Sequence, residues 1–369
     1  MTPAERRTRA CQEQLREGPA DAVVCFPSTN LQYLSGFVEE PGERHLLLFV
    51  PATGDPVFLV PELYDQQVRE ASWVDDVRTW DDGEDPRAAV STVAEDLGLA
   101  GGHLLVDDTM WARFTQDLRA VLPEATFGLA SEVLADLRVR KDDAELDALR
   151  RAGEVADAVV ADLRAAGESL VGTTEAELAR DIERRLNDAG GDGVSFEPVV
   201  GSGPNGAKPH HRHGDRTIEA GDPVVLDFGT RVDGYPSDQT RTVVFDGEPP
   251  TEFVEVHRVV QAAQQAAVDA VEPGVSAESV DAAAREVIES AGYGEQFVHR
   301  TGHGVGLDVH EEPYVVAGND RELEVGMVFS VEPGVYLPGE FGVRIEDLVA
   351  VTETGCERLN DADRDWRVD

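Results

Sequence analysis

An α/β domain followed by an α+β domain is the fold class that this sequence predicts, and three observations carry it. Short apolar runs alternate with helical stretches through the first third of the chain. A long amphipathic helical pattern begins near residue 142. Beyond it lie two segments that read as β-hairpins, each with a turn signal at its centre and acidic residues in its arms.

The runs DAVVCF, HLLLFV, VFLV and HLLVDD are the strands of the first domain, and the segments between them supply its helices. This rhythm ends near LADLRVRKDD, which sets the expected domains at residues 1–140 and 141–369. Asp142 and Asp143 are N-cap candidates for a helix through AELDALRRAGEVADAVVADLRAA, whose apolar residues recur at three- and four-residue spacing. A second helix, TEAELARDIERRLNDAG, opens on Thr174 and closes on Gly190. Strands and the first hairpin follow, then two more helices between residues 251 and 291, then strands to the C-terminus. There is no short-period repeat and no low-complexity segment.

The net charge of −41 over 369 residues is one uncompensated negative charge for every nine residues. Such a surface repels nucleic acid and anionic membranes, so neither is an expected partner. Lysine occurs only at Lys141 and Lys208 while arginine is plentiful, a balance that resembles proteins of extreme halophiles. No run approaches the roughly 18 apolar residues of a membrane span, and MTPAERRTRACQEQL has no apolar signal core, so the expected location is the cytoplasm. Cys11, Cys25 and Cys356 have no spacing that suggests a zinc site or a disulfide framework, and reduced structural thiols are expected.

In DFGTRVDGYPSDQT, residues 227 to 240, Asp233-Gly234 is a hairpin turn signal. With the turn centred between Val232 and Asp233, Asp227 and Asp238 become a directly opposed cross-strand pair, an arrangement that like charges destabilise. In SVEPGVYLPGEFGVRIED, Glu332 and Glu346 stand at equal distances from Gly339 and oppose each other in the same way. Four carboxylates facing one interior are tolerable only when protons or cations neutralise them. A pair of divalent cations would do so, with imidazoles completing the set. RTGHGVGLDVHEEP supplies His303 and His310, and GSGPNGAKPHHRHGDR supplies His210, His211 and His213. The alternative is that these are separate surface residues; the apolar runs PVVLDF and GMVFSVEP around Asp227 and Glu332 weigh against it. GSGPNGAK is no phosphate loop, since Ala207 separates Gly206 from Lys208 and no Ser or Thr follows.

Taken together, PHHRHGDR, VVLDFGTRVDGYPSDQTRT, TGHGVGLDVHEEP, VFSVEPGVYLPG and GVRIED resemble the pita-bread (M24) metallopeptidases, a family that includes methionine aminopeptidase, aminopeptidase P and Xaa-Pro dipeptidase (prolidase). NLQYLSGF resembles the creatinase-type N-terminal domain, which favours the Xaa-Pro branch. The resemblance implies five metal ligands: Asp227 on one ion, Asp238 and Glu346 bridging both, His303 and Glu332 on the second. It further implies that Glu332 acts as proton acceptor and donor, and that His210 and His310 hydrogen-bond the substrate's carbonyl oxygen or leaving nitrogen. Arg344 would orient the bridging carboxylate or anchor the substrate's carboxylate, the alternative being an ordinary surface ion pair. The implied activity is hydrolysis of the Xaa-Pro bond of dipeptides. Aminopeptidase P action on longer peptides is the runner-up, and a non-catalytic peptide-binding relative the third reading. The implied cofactors are two divalent ions, Mn²⁺ by family habit with Co²⁺, Fe²⁺ or Zn²⁺ as alternatives. The implied partners are a small peptide with proline at its second position and a second copy of the chain in a homodimer.

Charge alone generates one expected outcome. The Debye length is about 30 Å at 0.01 M salt and about 3 Å at 1 M, so self-repulsion spans a whole domain in dilute buffer and is mostly removed in molar KCl. The melting temperature should climb steeply along that salt series, and a flat response would contradict the halophilic reading.

Overall fold

Apolar runs buried on both faces become the strands of the N-terminal unit, Met1–Arg138, in the computed structural model, which describes residues 1–368. Six strands form its sheet: β1 (Ala22–Cys25), β2 (Leu47–Pro51), β3 (Val57–Pro61), β4 (Asp76–Trp80), β5 (His103–Val106) and β6 (Thr126–Leu129), in the order β4-β3-β2-β1-β5-β6. Every residue of β1, β2 and β3 is buried, which is why these read so clearly as apolar runs. The two edge strands, DVRTW and TFGL, are partly exposed and have no such signal. The sheet is mixed, because β2 runs antiparallel to both β1 and β3 while the remaining pairs are parallel. Helices α1 (Pro3–Glu17), α2 (Thr29–Ser35), α3 (Asp65–Ala71), α4 (Pro86–Asp96), α5 (Ala112–Val121) and α6 (Ser131–Arg138) complete the unit. Phe49, Leu59, Val93 and Phe114 lie in its core.

The second unit starts at Val139. Asp142 caps α7 (Asp143–Ala166) in a reciprocal box with Glu145, and Thr174 caps α8 (Glu175–Asp188) with Glu177 in the same way. The apolar stripe of this pair, including Val160, Leu163, Ile182 and Leu186, packs on Leu226 and Phe228. Helices α9 (Thr251–Asp269) and α10 (Ala277–Ser290) bury Val256, Val260, Ala284 and Ile288 against Phe329, Val331, Phe341 and Val349. Among the described residues no helix is long and apolar enough to cross a membrane.

Between these helices run β7 (Val199–Ser202), β8 (Val224–Phe228), β9 (Arg231–Val232), β10 (Tyr235–Pro236) and β11 (Gln239–Val243), then β12 (Gly302–Gly304), β13 (Glu311–Val315), β14 (Val328–Val331), β15 (Gly334–Leu337), β16 (Phe341–Arg344), β17 (Asp347–Thr352) and β18 (Gly355–Arg358). The sheets are β11-β8-β7 and β13-β12-β14-β17-β18, with β9-β10 and β15-β16 as two-stranded extensions.

One register runs the length of each hairpin. In the first, Asp227 pairs with Thr240 and Val232 with Tyr235. The turn is therefore centred between Asp233 and Gly234, at φ 52° and 83°, the two left-handed residues that a tight hairpin turn of this kind requires. This corrects the expected pairing: Asp238 stands diagonally from Asp227 on the same face and opposite Gly229. In the second hairpin Leu337 pairs with Phe341, Gly334 with Arg344 and Val331 with Asp347. That register sets Glu332 opposite Glu346, as the spacing about Gly339 predicts. The two hairpins meet at an antiparallel bridge between Thr240 and Glu346.

Gly229 is where the first hairpin depends on the absence of a side chain, since a Cβ there would lie 1.8 Å from the Ser237 carbonyl oxygen. Gly229→Ala must push the Asp238 arm away, and overpacking of this kind costs about 1–3 kcal/mol. The expected outcome is a lower melting temperature together with weaker metal binding by calorimetry; unchanged metal affinity would show that Asp238 does not depend on this contact.

Candidate active site

Opposed residues of antiparallel strands share a face, and the strands lie about 4.8 Å apart. The registers therefore lay one row of side chains across the four arms of the two hairpins: Asp227, Thr240, Glu346 and Glu332. The row continues to Thr301, whose carbonyl accepts from Glu332 N at 2.8 Å and whose hydroxyl is tied to Asp281 of α10 at 2.7 Å. Asp238 lies two residues from Thr240 and His303 two residues from Thr301, both on this face. All five candidate ligands line one cavity of about 630 Å³.

Asp238, His303 and Glu346 are all buried and each offers an atom within 4.8 Å of the others. His303 Nε2 is 3.6 Å from Asp238 Oδ2 and 3.4 Å from Glu332 Oε1. Glu346 Oε2 accepts from Thr240 Oγ1 at 2.6 Å, and Glu332 Oε1 accepts from Ser330 Oγ at 3.2 Å. Asp227 Oδ2 accepts from Arg344 Nη2 at 2.5 Å, while its Oδ1 is buried with no hydrogen-bond partner among the described residues. A carboxylate oxygen stranded like this is costly unless a cation meets it. Burial pushes Asp238 and Glu346 well above the usual carboxylate range, and the neighbouring acids push them further. Glu332 is raised to about 7 by burial, against the pull of Arg344. Burial first, and then the neighbouring His310, lower His303 to about 3, which keeps its imidazole neutral and able to ligate. Buried carboxylates with a neutral imidazole form a donor set that fits divalent cations.

Arg344 is buried, not at the surface as the bland alternative for it had it. Besides Asp227 it donates from Nε to Thr240 Oγ1 at 3.1 Å and from Nη1 to Tyr336 Oη at 2.8 Å and the Pro209 carbonyl at 3.3 Å. Tyr336 Oη lies 2.9 Å from His299 Nε2, and His299 Nδ1 lies 2.7 Å from the Arg300 carbonyl. With Nδ1–H directed at that carbonyl, Nε2 accepts from the tyrosine. Burial, then Arg344, lower His299 to about 4, so it stays neutral. Arg300 lines the cavity with its guanidinium 4.4 Å over the Tyr314 ring.

His310 lies with its ring centroid 4.1 Å from that of His303, and His210 lines the same cavity. Of the adjacent histidines, His211 also lines the cavity but has its Nε2 2.8 Å from buried Glu175 Oε2, and His213 Nδ1 is 2.9 Å from the Pro198 carbonyl. Glu311, next to His310, accepts from the fully buried Lys141 ammonium at 2.7 Å. Sequence reasoning passed over Thr240, His299, Arg300, Tyr336 and Glu175. Thr240 was within reach, since a turn centred one residue later opposes it to Asp227. His299 stands four residues before His303 in HRTGH. The role of Tyr336 has no local signal.

The fold and site define a metal-dependent peptidase. Residues 147–353 match metallopeptidase family M24, and residues 7–140 match the creatinase/prolidase N-terminal domain. The chain belongs to the M24 family. It is 46% identical over 346 residues to the probable dipeptidase PepE of Mycobacterium tuberculosis, spanning 92% of this chain and 89% of that protein. It is 37% identical over 368 residues to the Xaa-Pro dipeptidase of Lactobacillus delbrueckii subsp. lactis, with 97% of each covered. The crystal structure of a prolidase from Thermococcus sibiricus superposes with a TM-score of 0.95 at 41% identity, covering 100% of this chain and 99% of that one.

Metal binding at this site must compete with protons. A carboxyl such as Glu332, raised from 4.5 to about 7, holds in the metal-free fold a proton that the unfolded chain releases. It favours the fold fully below pH 4.5, and that advantage is lost as pH rises through 7. Cations replace the protons only where the carboxyls can ionise. Micromolar Mn²⁺ added to EDTA-stripped protein in high salt should therefore raise the melting temperature by several degrees at pH 8 and hardly at all at pH 5. An equal shift at both pH values would refute the buried-carboxylate origin of the effect.

Proposed function

We propose that this chain hydrolyses the Xaa-Pro bond of dipeptides, with two divalent ions held by Asp227, Asp238, His303, Glu332 and Glu346 and Mn²⁺ as the working metal. The observation that carries the reading is the convergence on one cavity of a neutral histidine and four carboxylates, those of Asp238 and Glu346 buried and those of Asp227 and Glu332 largely covered, with a stranded Asp227 oxygen among them. Bound there, divalent ions supply Lewis acidity and lower the pKa of water.

The remaining chemistry belongs to side chains. Glu332 accepts from Ser330 Oγ on one oxygen and lines the cavity, so its carboxylate can accept a proton from the attacking water and return it to the leaving nitrogen. His310, lowered by burial and by Arg300, presents a neutral imidazole to the cavity. With His210 it is placed to hydrogen-bond the substrate carbonyl oxygen, where charge develops, or the leaving nitrogen. Arg344 orients Asp227 directly and Glu346 through Thr240. A proline nitrogen carries no hydrogen once in peptide linkage, so recognition must rely on the ring and the carbonyl rather than on an N–H. The acid-rich surface supports work at high salt, and the family resemblance supports a cytoplasmic homodimer.

The test is a comparison of Xaa-Pro dipeptides with Xaa-Pro-Yaa tripeptides, with metal and after EDTA. Turnover of the dipeptides alone, dependent on metal, is the expected outcome; preference for the tripeptides would make the enzyme an aminopeptidase. Asp238→Asn, His303→Ala and Glu346→Gln should each lose bound metal and orders of magnitude in rate. His310→Ala should keep its metal and lose kcat, and a rise confined to KM would contradict the transition-state role.

A further inference from the structure

Helix α8 begins at Glu175, yet the carboxylate of this residue does nothing for its own helix. Thr174 Oγ1 accepts from Glu177 N at 3.2 Å and Glu177 Oε2 accepts from Thr174 N at 2.8 Å, so the cap is complete without it. Glu175 is fully buried and turns to the segment that follows β7. Its Oε1 accepts from the backbone N–H and the hydroxyl of Ser202, each at 2.8 Å. Asn205 Nδ2 donates to both oxygens, at 3.1 and 3.2 Å. Oε2 accepts from His211 Nε2 at 2.8 Å and from Gly214 N at 3.4 Å. The first-turn N–H groups of α8 hold the far end: Glu175 N donates to the Arg216 carbonyl and Ala176 N to that of Gly214, both at 3.0 Å. Burial raises a carboxyl, but here the donors from Ser202, His211 and Asn205 outweigh it and leave Glu175 below its ordinary range.

The clamped segment has little regular structure of its own beyond a short 3₁₀ turn, Gly203–Asn205. His210 is carried on it. The His210 ring lines the cavity and makes no hydrogen bond among the described residues, so its place is set by its chain neighbours. On one side the Pro209 carbonyl accepts from Arg344. On the other, His211 is held by Glu175.

We infer that Glu175 is a positioning residue for His210: by holding His211, Asn205 and both ends of the segment, it sets where the His210 imidazole meets the substrate. This deepens the peptidase reading and rests on the role given there to His210. Glu175→Gln keeps the shape but places an amide donor among N–H and O–H donors, which displaces the segment. A misplacement of about 1 Å of a group that meets the reacting atoms lowers activity by up to roughly a hundredfold. The expected result is a loss of that size in kcat, with KM and bound metal per chain unchanged.

The deciding measurement is a double-mutant cycle with His210→Ala on Xaa-Pro dipeptide. Acting through His210, Glu175→Gln costs nothing further in the His210→Ala background. Losses that multiply would overturn the inference and leave the peptidase reading standing. A silent His210→Ala would overturn both the role of His210 and the inference built on it. His211→Ala, which removes one donor and leaves the carboxylate in place, provides the same cycle if Glu175→Gln fails to fold; it too should lower kcat alone and add nothing to His210→Ala, and multiplying losses would again overturn the inference.

Discussion

The site depends on one bridge between strands, that of Thr240 with Glu346. Each hairpin by itself aligns two acids on a face. Only where the hairpins are stitched together does the row become continuous, and the stitching involves more than backbone: Glu346 N donates to the Thr240 carbonyl at 3.1 Å while Thr240 Oγ1 donates to Glu346 Oε2 at 2.6 Å. The same hydroxyl accepts from Arg344 Nε. A small β-branched residue with a rotatable hydroxyl thus sits in the middle of an acidic row, answering an anion on one side and a cation on the other.

Behind the row the charges are balanced by arginine. Arg241 is wholly buried; it donates to the Glu346 carbonyl at 2.7 Å and to Asp347 Oδ1 at 2.7 Å, and Arg358 and Gln264 bind the other oxygen of Asp347. Asp347 therefore has a full set of partners, while Glu346, its neighbour in sequence, is left with raised proton affinity on the cavity side. Adjacent acids on opposite faces of one strand have opposite fates because one face is supplied with fixed cations and the other awaits mobile ones. The surface excess of acids and the buried cluster are separate phenomena: bulk salt screens the first, and only ions that enter the cavity relieve the second.

What was legible in the sequence follows the reach of each interaction. Glu332 and Glu346 could be paired from the position of Gly339 because a hairpin is local and its register is arithmetic. The same arithmetic misplaced Asp238 because Asp233 and Gly234 together are the two central residues of the turn, so the centre lies one residue later. Helices α7 and α8 were visible through their caps and apolar stripes. Strands β4 and β6 were not, being edge strands with too little burial to show alternation. The contacts that join distant segments have no local trace at all: Arg344 and Asp227 are 117 residues apart, Thr240 and Glu346 106 apart. Five candidate ligands could be nominated from motifs, whereas Tyr336, His299 and Glu175 emerge only once the chain is folded around them.

The two uninterrupted registers have a consequence for how this chain can change in length. Side chains alternate faces along a strand, so one residue added or lost between Phe228 and Val232, or between Tyr235 and Gln239, would turn an acid of the row to the opposite face or force a bulge. Residues added at the tips, beyond Asp233-Gly234 or around Gly339, would leave every pair in the row intact, and a longer closing loop costs little. The site is thus indifferent to the length of its turns and intolerant of the length of its arms, so that natural insertions and grafted segments alike have two narrow places of entry into these hairpins.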